Sequence, residues 1–172
     1  YSEEYLYTDG KKTIDKYTTS AVCMFRITNI EAINDNYSRK LGNQVIIKVS
    51  DYVKNNISKE YVFIRYMGPK FVIVFSGVDT DSVTSFIDDL KHEMEKMKIS
   101  LKSEHENFEE VEIEGAKKNK KKPKAEERAE VSPKLNFVVT TYYKGTGMEE
   151  VLKKLEQYID NAGKSENEIT CI

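Results

Sequence analysis

The 172 residues of this chain are enough for one compact domain with a real core, and they leave little length for a second. Hydrophobic residues make up 39% of the sequence and charged residues 33%, which is typical of a soluble globular chain. The formal net charge of -2 gives no overall reason to expect binding to nucleic acid or to a membrane surface, and the longest apolar runs are too short to span a bilayer.

The first elements in chain order are an N-terminal segment, a strand and two helices. Residues 1–19 are predicted to form an arm or a lead-in helix. Residues 21–27 are β-prone and largely apolar, which favours a central strand covered on both faces. Asn29 is a candidate N-cap for a short helix over 31–37, and a longer amphipathic helix is predicted after Gly42.

A β-hairpin and a long helix are predicted in the middle of the chain. Residues 61–66 and 71–75 have the composition of strands, and the short glycine-containing segment between them is typical of a hairpin turn. Apolar residues recur at helical spacing over 79–97, so this is expected to be an amphipathic helix. Residues 99–101 and 111–113 are candidates for short edge strands.

The last third of the chain begins with a charged insertion at about 114–133, where a lysine run is followed by glutamates. This segment has too few apolar residues to offset its ordering entropy, so a flexible loop is expected. Its acidic residues largely cancel the lysine charge and no aromatic residues are interleaved, so neither nucleic acid nor direct membrane contact is predicted. A strand over 135–143, a helix over 147–162 and a terminal strand over 168–172 complete an α+β order of elements.

The two cysteines indicate no redox or metal site. Cys23 and Cys171 each lie in an apolar stretch and have no partner at metal-ligand spacing, so both are expected to be buried structural residues. No cofactor is predicted.

Two segments of the chain resemble the GGDEF family of diguanylate cyclase domains. Residues 25–43 are similar to the family pattern DxDxFKxINDxYGHxxGD, and keep its Ile-Asn-Asp-x-Tyr core. Residues 65–71 are similar to the RYGGDEF hairpin. The signature positions are Met67, Gly68, Pro69, Lys70 and Phe71. The resemblance implies a ferredoxin-like, nucleotidyl-cyclase-type sheet with helices packed on it, spanning residues 20–172.

Departures from the family pattern imply a degenerate domain. In active members, the first Asp of DxDxF and the acidic residue of the hairpin bind the divalent metals that hold the GTP phosphates. This sequence has Arg26 at the first position, and Pro69 and Lys70 in the hairpin. A guanidinium and an ammonium cannot ligate a cation, so the resemblance implies no catalytic residues and no metal. Pro69 also removes a backbone N–H from the turn.

The resemblance leaves part of a nucleotide site. Asn34 matches the guanine-contacting Asn of the family, and Asn43 stands where an Asp is usual, which should weaken guanine preference. Arg26 and Lys70 are either a metal-free phosphate clamp or the remains of a decayed site that faces water. Weak binding of GTP or of another nucleotide is therefore an expectation.

The predicted function is that of a catalytically inactive GGDEF-like domain, acting as a regulatory, nucleotide-binding or protein-interaction module of a larger bacterial signalling protein. Its expected partners are a second copy of the chain or a signalling domain. The alternative is an active cyclase that makes cyclic di-GMP from GTP. The sequence shows no leader segment, so a cytoplasmic location is predicted. This prediction also covers the case in which the chain is the cytosolic part of a larger membrane-anchored protein.

Overall fold

A computed structural model describes residues 1–101, 129–161 and 169–172. The strands are β1 (Thr19–Ile27), β2 (Val62–Arg65), β3 (Lys70–Phe75), β4 (Leu135–Tyr143) and β5 (Ile169–Cys171). They form one sheet in the order β2-β3-β1-β4-β5, with β1 antiparallel to both of its neighbours. β2 pairs antiparallel with β3 and β4 pairs parallel with β5, so the predicted hairpin and the predicted terminal strand are both confirmed.

Helices cover both faces of the sheet, which confirms the predicted α+β class. They are a 3₁₀ helix (Glu3–Tyr7), α1 (Asp9–Ile14), α2 (Ile30–Asn36), α3 (Arg39–Asn56), α4 (Thr80–Glu95) and α5 (Met148–Asn161). α2, α3 and α4 pack on one face, and α5 packs on the other with the N-terminal helices. Because strand side chains alternate between faces, β1 buries Cys23 and Phe25 on the first side and Val22 and Met24 on the second.

Phenylalanines from four adjacent strands stack in the core beneath α2, α3 and α4. The ring of Phe25 lies 5.0 Å from that of Phe71 and 4.9 Å from that of Phe137, measured between centroids. Phe63 extends the stack and lies 5.6 Å from Phe71. This cluster fixes the end of β1 relative to the hairpin, and the next residue of β1 is Arg26.

α3 begins earlier than the sequence indicated. Ser38 is its N-cap, and its hydroxyl oxygen accepts a hydrogen bond from the backbone N–H of Leu41 at 3.1 Å. The helix therefore starts at Arg39, and Gly42, which was expected to precede it, lies inside it.

The prediction that Asn29 is the N-cap of the following helix is confirmed in position, although its side chain bonds elsewhere. Asn29 occupies the N-cap position of α2, but its side chain makes no capping hydrogen bond. Its amide nitrogen donates to the carbonyl of Ser132 at 2.9 Å, and its side-chain oxygen accepts from the backbone N–H of Lys134 at 3.0 Å. Asn29 therefore ties the end of β1 to the segment that leads into β4.

The chain around the charged insertion differs from the prediction or lies outside the described residues. Ile99 forms an isolated antiparallel bridge with Val131, and residues 99–101 are not a strand. The candidate strand at 111–113 and most of the 114–133 insertion, including its lysine run, fall outside the described ranges.

Cys171 also departs from expectation, because it is exposed at the end of the short strand β5 whereas Cys23 is buried. A strand of three residues at the edge of the sheet has too few neighbours to cover that side chain.

The 3₁₀ helix and α1 at the N-terminus pack against the face of the sheet that α5 covers. Leu6 and Ile14 are buried in the same cluster as the apolar residues of α5. The hydroxyl of Tyr142 on β4 donates to Asp15 at 3.0 Å, which holds the end of α1 against the sheet. Among the helices that the structure describes, none has both the length and the apolar character needed to cross a membrane.

Candidate functional site

The hairpin that carries the altered signature closes with a tight turn. The backbone N–H of Lys70 donates to the carbonyl of Met67 at 3.2 Å, and that of Tyr66 donates to the carbonyl of Lys70 at 2.9 Å. Gly68 has a φ of +59° at the first central position, and the ring of Pro69 requires a negative φ at the second. A positive φ followed by a negative φ is the φ pattern of a type II′ turn, which suits the twist of a hairpin.

Arg26 and Lys70 are directly opposite each other on β1 and β3, and both side chains meet α5. The Lys70 ammonium lies 3.3 Å and 3.5 Å from the two carboxylate oxygens of Asp160, and 3.5 Å from Oε2 of Glu156. The Arg26 guanidinium lies 4.0 Å from Asp160. We refer to Arg26, Lys70, Glu156 and Asp160 as the Lys70 cluster.

The Lys70 cluster is partly shielded from solvent. The Lys70 side chain is 13% exposed, against 47% for Asp160. The Lys70 ammonium also lies 6.0 Å from the centroid of the Tyr66 ring. Burial, together with the negative charge of Glu156, raises the pKa of Tyr66 to about 12, so its hydroxyl stays neutral at physiological pH.

α5 places the two carboxylates because its apolar stripe sets its rotation on the sheet. Leu152, Leu155 and Ile159 are fully buried against the sheet and recur at helical spacing. Glu156 and Asp160 are four residues apart, so they lie one turn apart on the same side of the helix. Sequence reasoning missed both, because they look like ordinary solvent-facing charges of an amphipathic helix. The available signal was charge complementarity with Arg26 and Lys70.

The two asparagines predicted to contact a base lie on α2 and α3. Asn34 packs so closely on Gly42 that a Cβ at position 42 would overlap its side-chain oxygen. That oxygen is buried and has no hydrogen-bond partner among the described residues. Asn43 follows Gly42 and is exposed. The structure therefore places Asn34 in contact with Gly42, the residue that precedes Asn43.

The four predicted nucleotide-binding residues divide between two faces of the sheet. Asn34 and Asn43 belong to the α2–α3 layer, whereas Arg26 and Lys70 meet α5 on the opposite face. Their joint role in binding a nucleotide stays a prediction.

The residues of the Lys70 cluster do not fit the divalent metal that the family resemblance implies. Two cations stand at the strand positions, and the nearby carboxylate oxygens already face the Lys70 ammonium. Over residues 1–101, 129–161 and 169–172, no three His, Cys, Asp or Glu side chains converge as metal ligands would.

Comparison with known proteins relates both the sequence and the fold to one family. Residues 1–114 match the family model described as "Diguanylate cyclase, GGDEF domain". An uncharacterized membrane protein of Staphylococcus haemolyticus is 26% identical over 87 residues, which are 51% of this chain and 24% of that protein. The chain therefore spans only about a quarter of the length of this relative.

Two crystal structures show the same fold at low sequence identity. The GGDEF domain of DgcB from Caulobacter crescentus, in complex with c-di-GMP, has a TM-score of 0.73 and 13% identity, over 98% of this chain and 84% of that one. The diguanylate cyclase SiaD from Pseudomonas aeruginosa, in complex with its activator SiaC, has a TM-score of 0.71 and 10% identity, over 98% of this chain and 55% of that one.

Proposed function

The chain belongs to the GGDEF family of diguanylate cyclase domains, and we propose that it is a member that does not make cyclic di-GMP and acts as a regulatory module of a larger protein. The observation that carries this proposal is the ion pairing of Lys70 with Glu156 and Asp160. It occurs in the hairpin, where Pro69 and Lys70 stand in place of the acidic residues of the family signature.

The chemistry of phosphoryl transfer supports the loss of catalysis. Charge on the transferred phosphoryl group is neutralised by metal ions, which take oxygen ligands. Arg26 and Lys70 offer only nitrogen donors that already carry protons and positive charge. Glu156 and Asp160 neutralise these cations, so these two carboxylates are not available as a free pair of metal ligands.

The setting of the domain supports a regulatory role. The Staphylococcus haemolyticus relative is called a membrane protein, and the matched region is 24% of its length. We therefore place the domain in the cytosolic part of a larger, membrane-anchored bacterial signalling protein. Its partner is either a second copy of the chain or a regulatory protein, as SiaD is bound to its activator SiaC.

The loss of catalysis is tested by incubating the folded chain with GTP and either Mg²⁺ or Mn²⁺. We expect no cyclic di-GMP by chromatography and mass spectrometry, because no metal can neutralise the phosphates at the Lys70 cluster. A GGDEF domain with both acidic positions intact, assayed in parallel, controls for the conditions. Formation of cyclic di-GMP that scales with the concentration of this chain would contradict the proposal.

A second candidate function is weak binding of a purine nucleotide through its base. Asn34 favours it, because its side chain is only half-buried and its oxygen has no hydrogen-bond donor among the described residues, so the polar groups of this side chain are not all used within the chain. Since Arg26 and Lys70 already face carboxylates, the phosphates should add little affinity.

Calorimetric titration distinguishes base binding from phosphate binding. We expect guanosine and GTP to bind weakly, with dissociation constants within about threefold of each other, which is less than 1 kcal/mol. Asn34→Ala should abolish the heat, whereas Tyr37→Ala, an exposed change close to α2, should not. Binding of GTP that is much tighter than that of guanosine would show that the phosphates are held after all.

A further inference from the structure

We infer that Glu156 and Asp160 act as a built-in anionic ligand of Arg26 and Lys70, so that the chain contains a latent site for a small phosphate-type anion that its own carboxylates fill. This inference rests on the proposed function, since it concerns the same position in the fold. It goes further by identifying the groups that neutralise Arg26 and Lys70, and the class of ligand that these two cations would bind if the carboxylates were removed.

The contacts are those of a ligand and its site. The Lys70 ammonium donates to both carboxylate oxygens of Asp160, at 3.3 Å and 3.5 Å, and forms an ion pair with Oε2 of Glu156 at 3.5 Å that is not a hydrogen bond. Arg26 approaches one of the same oxygens, at 4.0 Å. The two cations and two carboxylates carry equal and opposite formal charge, so no net positive charge is left to attract an external anion.

Both partners are held in place by the fold. Arg26 and Lys70 are at paired positions of the central sheet, and the tight turn fixes the hairpin just before Lys70. The helix that carries the carboxylates is anchored by the buried Leu155 and Ile159, each of which directly precedes one of the two acids in sequence. The carboxylates therefore act at a high effective concentration, and a free anion has to displace them from an intramolecular complex.

Removing the negative charge of the helix should release the site. The double variant Glu156→Gln and Asp160→Asn keeps the side-chain shapes and leaves the two cations without counter-charge. Inorganic pyrophosphate is a suitable probe, since it offers several oxygens to both a guanidinium and an ammonium. We expect its affinity in calorimetry at low ionic strength to rise at least about tenfold over the wild-type chain.

Two further variants separate a built site from a general change of charge. Glu149→Gln with Glu150→Gln makes the same change in net charge at the other end of the same helix, and should leave pyrophosphate binding at the wild-type level. Adding Lys70→Met to the Glu156→Gln and Asp160→Asn variant should remove the gain. Both results are expected only if the carboxylates of Glu156 and Asp160 neutralise Lys70.

The inference is overturned if the wild-type chain binds pyrophosphate as tightly as the double variant, or if the variant with changes at 149 and 150 gains as much. Circular dichroism checks that each variant is folded. If the double variant does not fold, Asp160→Asn alone serves, with an expected gain of about threefold. Cyclic di-GMP made by the wild-type chain would refute the proposed function, whereas these titrations measure binding and test only the latent site.

Discussion

Lys70→Glu is expected to lower the free energy of unfolding by about 2 to 3 kcal/mol, because it replaces attraction by repulsion in a partly buried cluster. The new carboxylate would face Glu156 and Asp160, whose oxygens now lie 3.3 to 3.5 Å from the Lys70 ammonium. Removing one partner of a fully buried pair costs about 3 to 5 kcal/mol, and the exposure of Asp160 reduces that figure here.

Urea unfolding monitored by circular dichroism measures this change, with Lys70→Met as the matched control. The methionine removes the charge but adds no repulsion, so a smaller loss of about 1 kcal/mol is expected. Mn²⁺ should recover much of the stability of Lys70→Glu and none of that of Lys70→Met, since only the former brings three carboxylates together. An unfolding midpoint for Lys70→Glu equal to that of the wild type would show that the cluster is not formed in solution.

Phe25→Ala is expected to lower the free energy of unfolding by about 3 to 5 kcal/mol, a large part of the ~5 to 15 kcal/mol typical of a whole domain. Phe25 is fully buried on the central strand and stacks on Phe71 and Phe137 from the two neighbouring strands. Its removal opens a cavity where β1 and β3 pair, one residue away from Arg26.

Phe86→Ala is the control for this core substitution. Phe86 lies on α4, is 37% exposed and contacts Phe75 edge-on at 5.9 Å. Its truncation should cost less than half as much as that of Phe25. Equal losses for the two variants in the same urea titration would mean that the stack around Phe25 is not a main source of stability.

Much of the fold could be predicted from the sequence, because periodicity reports which side of an element is buried. The covered faces of β1, the hairpin and the apolar stripe of α4 all follow from spacing alone. Less local features could not be predicted. Asn29 has the residue type of a cap, yet its side chain reaches residues 132 and 134, more than 100 positions further along the chain.

The candidate site was predictable only in part, for the same reason. The resemblance located Arg26 and Lys70, and the register of β1 and β3 brings them together. Their carboxylate partners come from α5, some 90 residues later for Lys70, and no sequence pattern states which charged residues of a helix face a given strand. Only the packing of α5 on the sheet reveals that the two cations are already neutralised.

The pairing of Lys70 with α5 couples the charge of the hairpin to the charge of the helix. An acid at position 70, alone or with a second acid at position 26, would meet Glu156 and Asp160 and be repelled by them. A divalent metal that relieved this repulsion would be held by the helix as well as by the strand. The charges on the strand and on the helix are therefore interdependent, and a change of charge on one element is expected to be tolerated only with a matching change on the other.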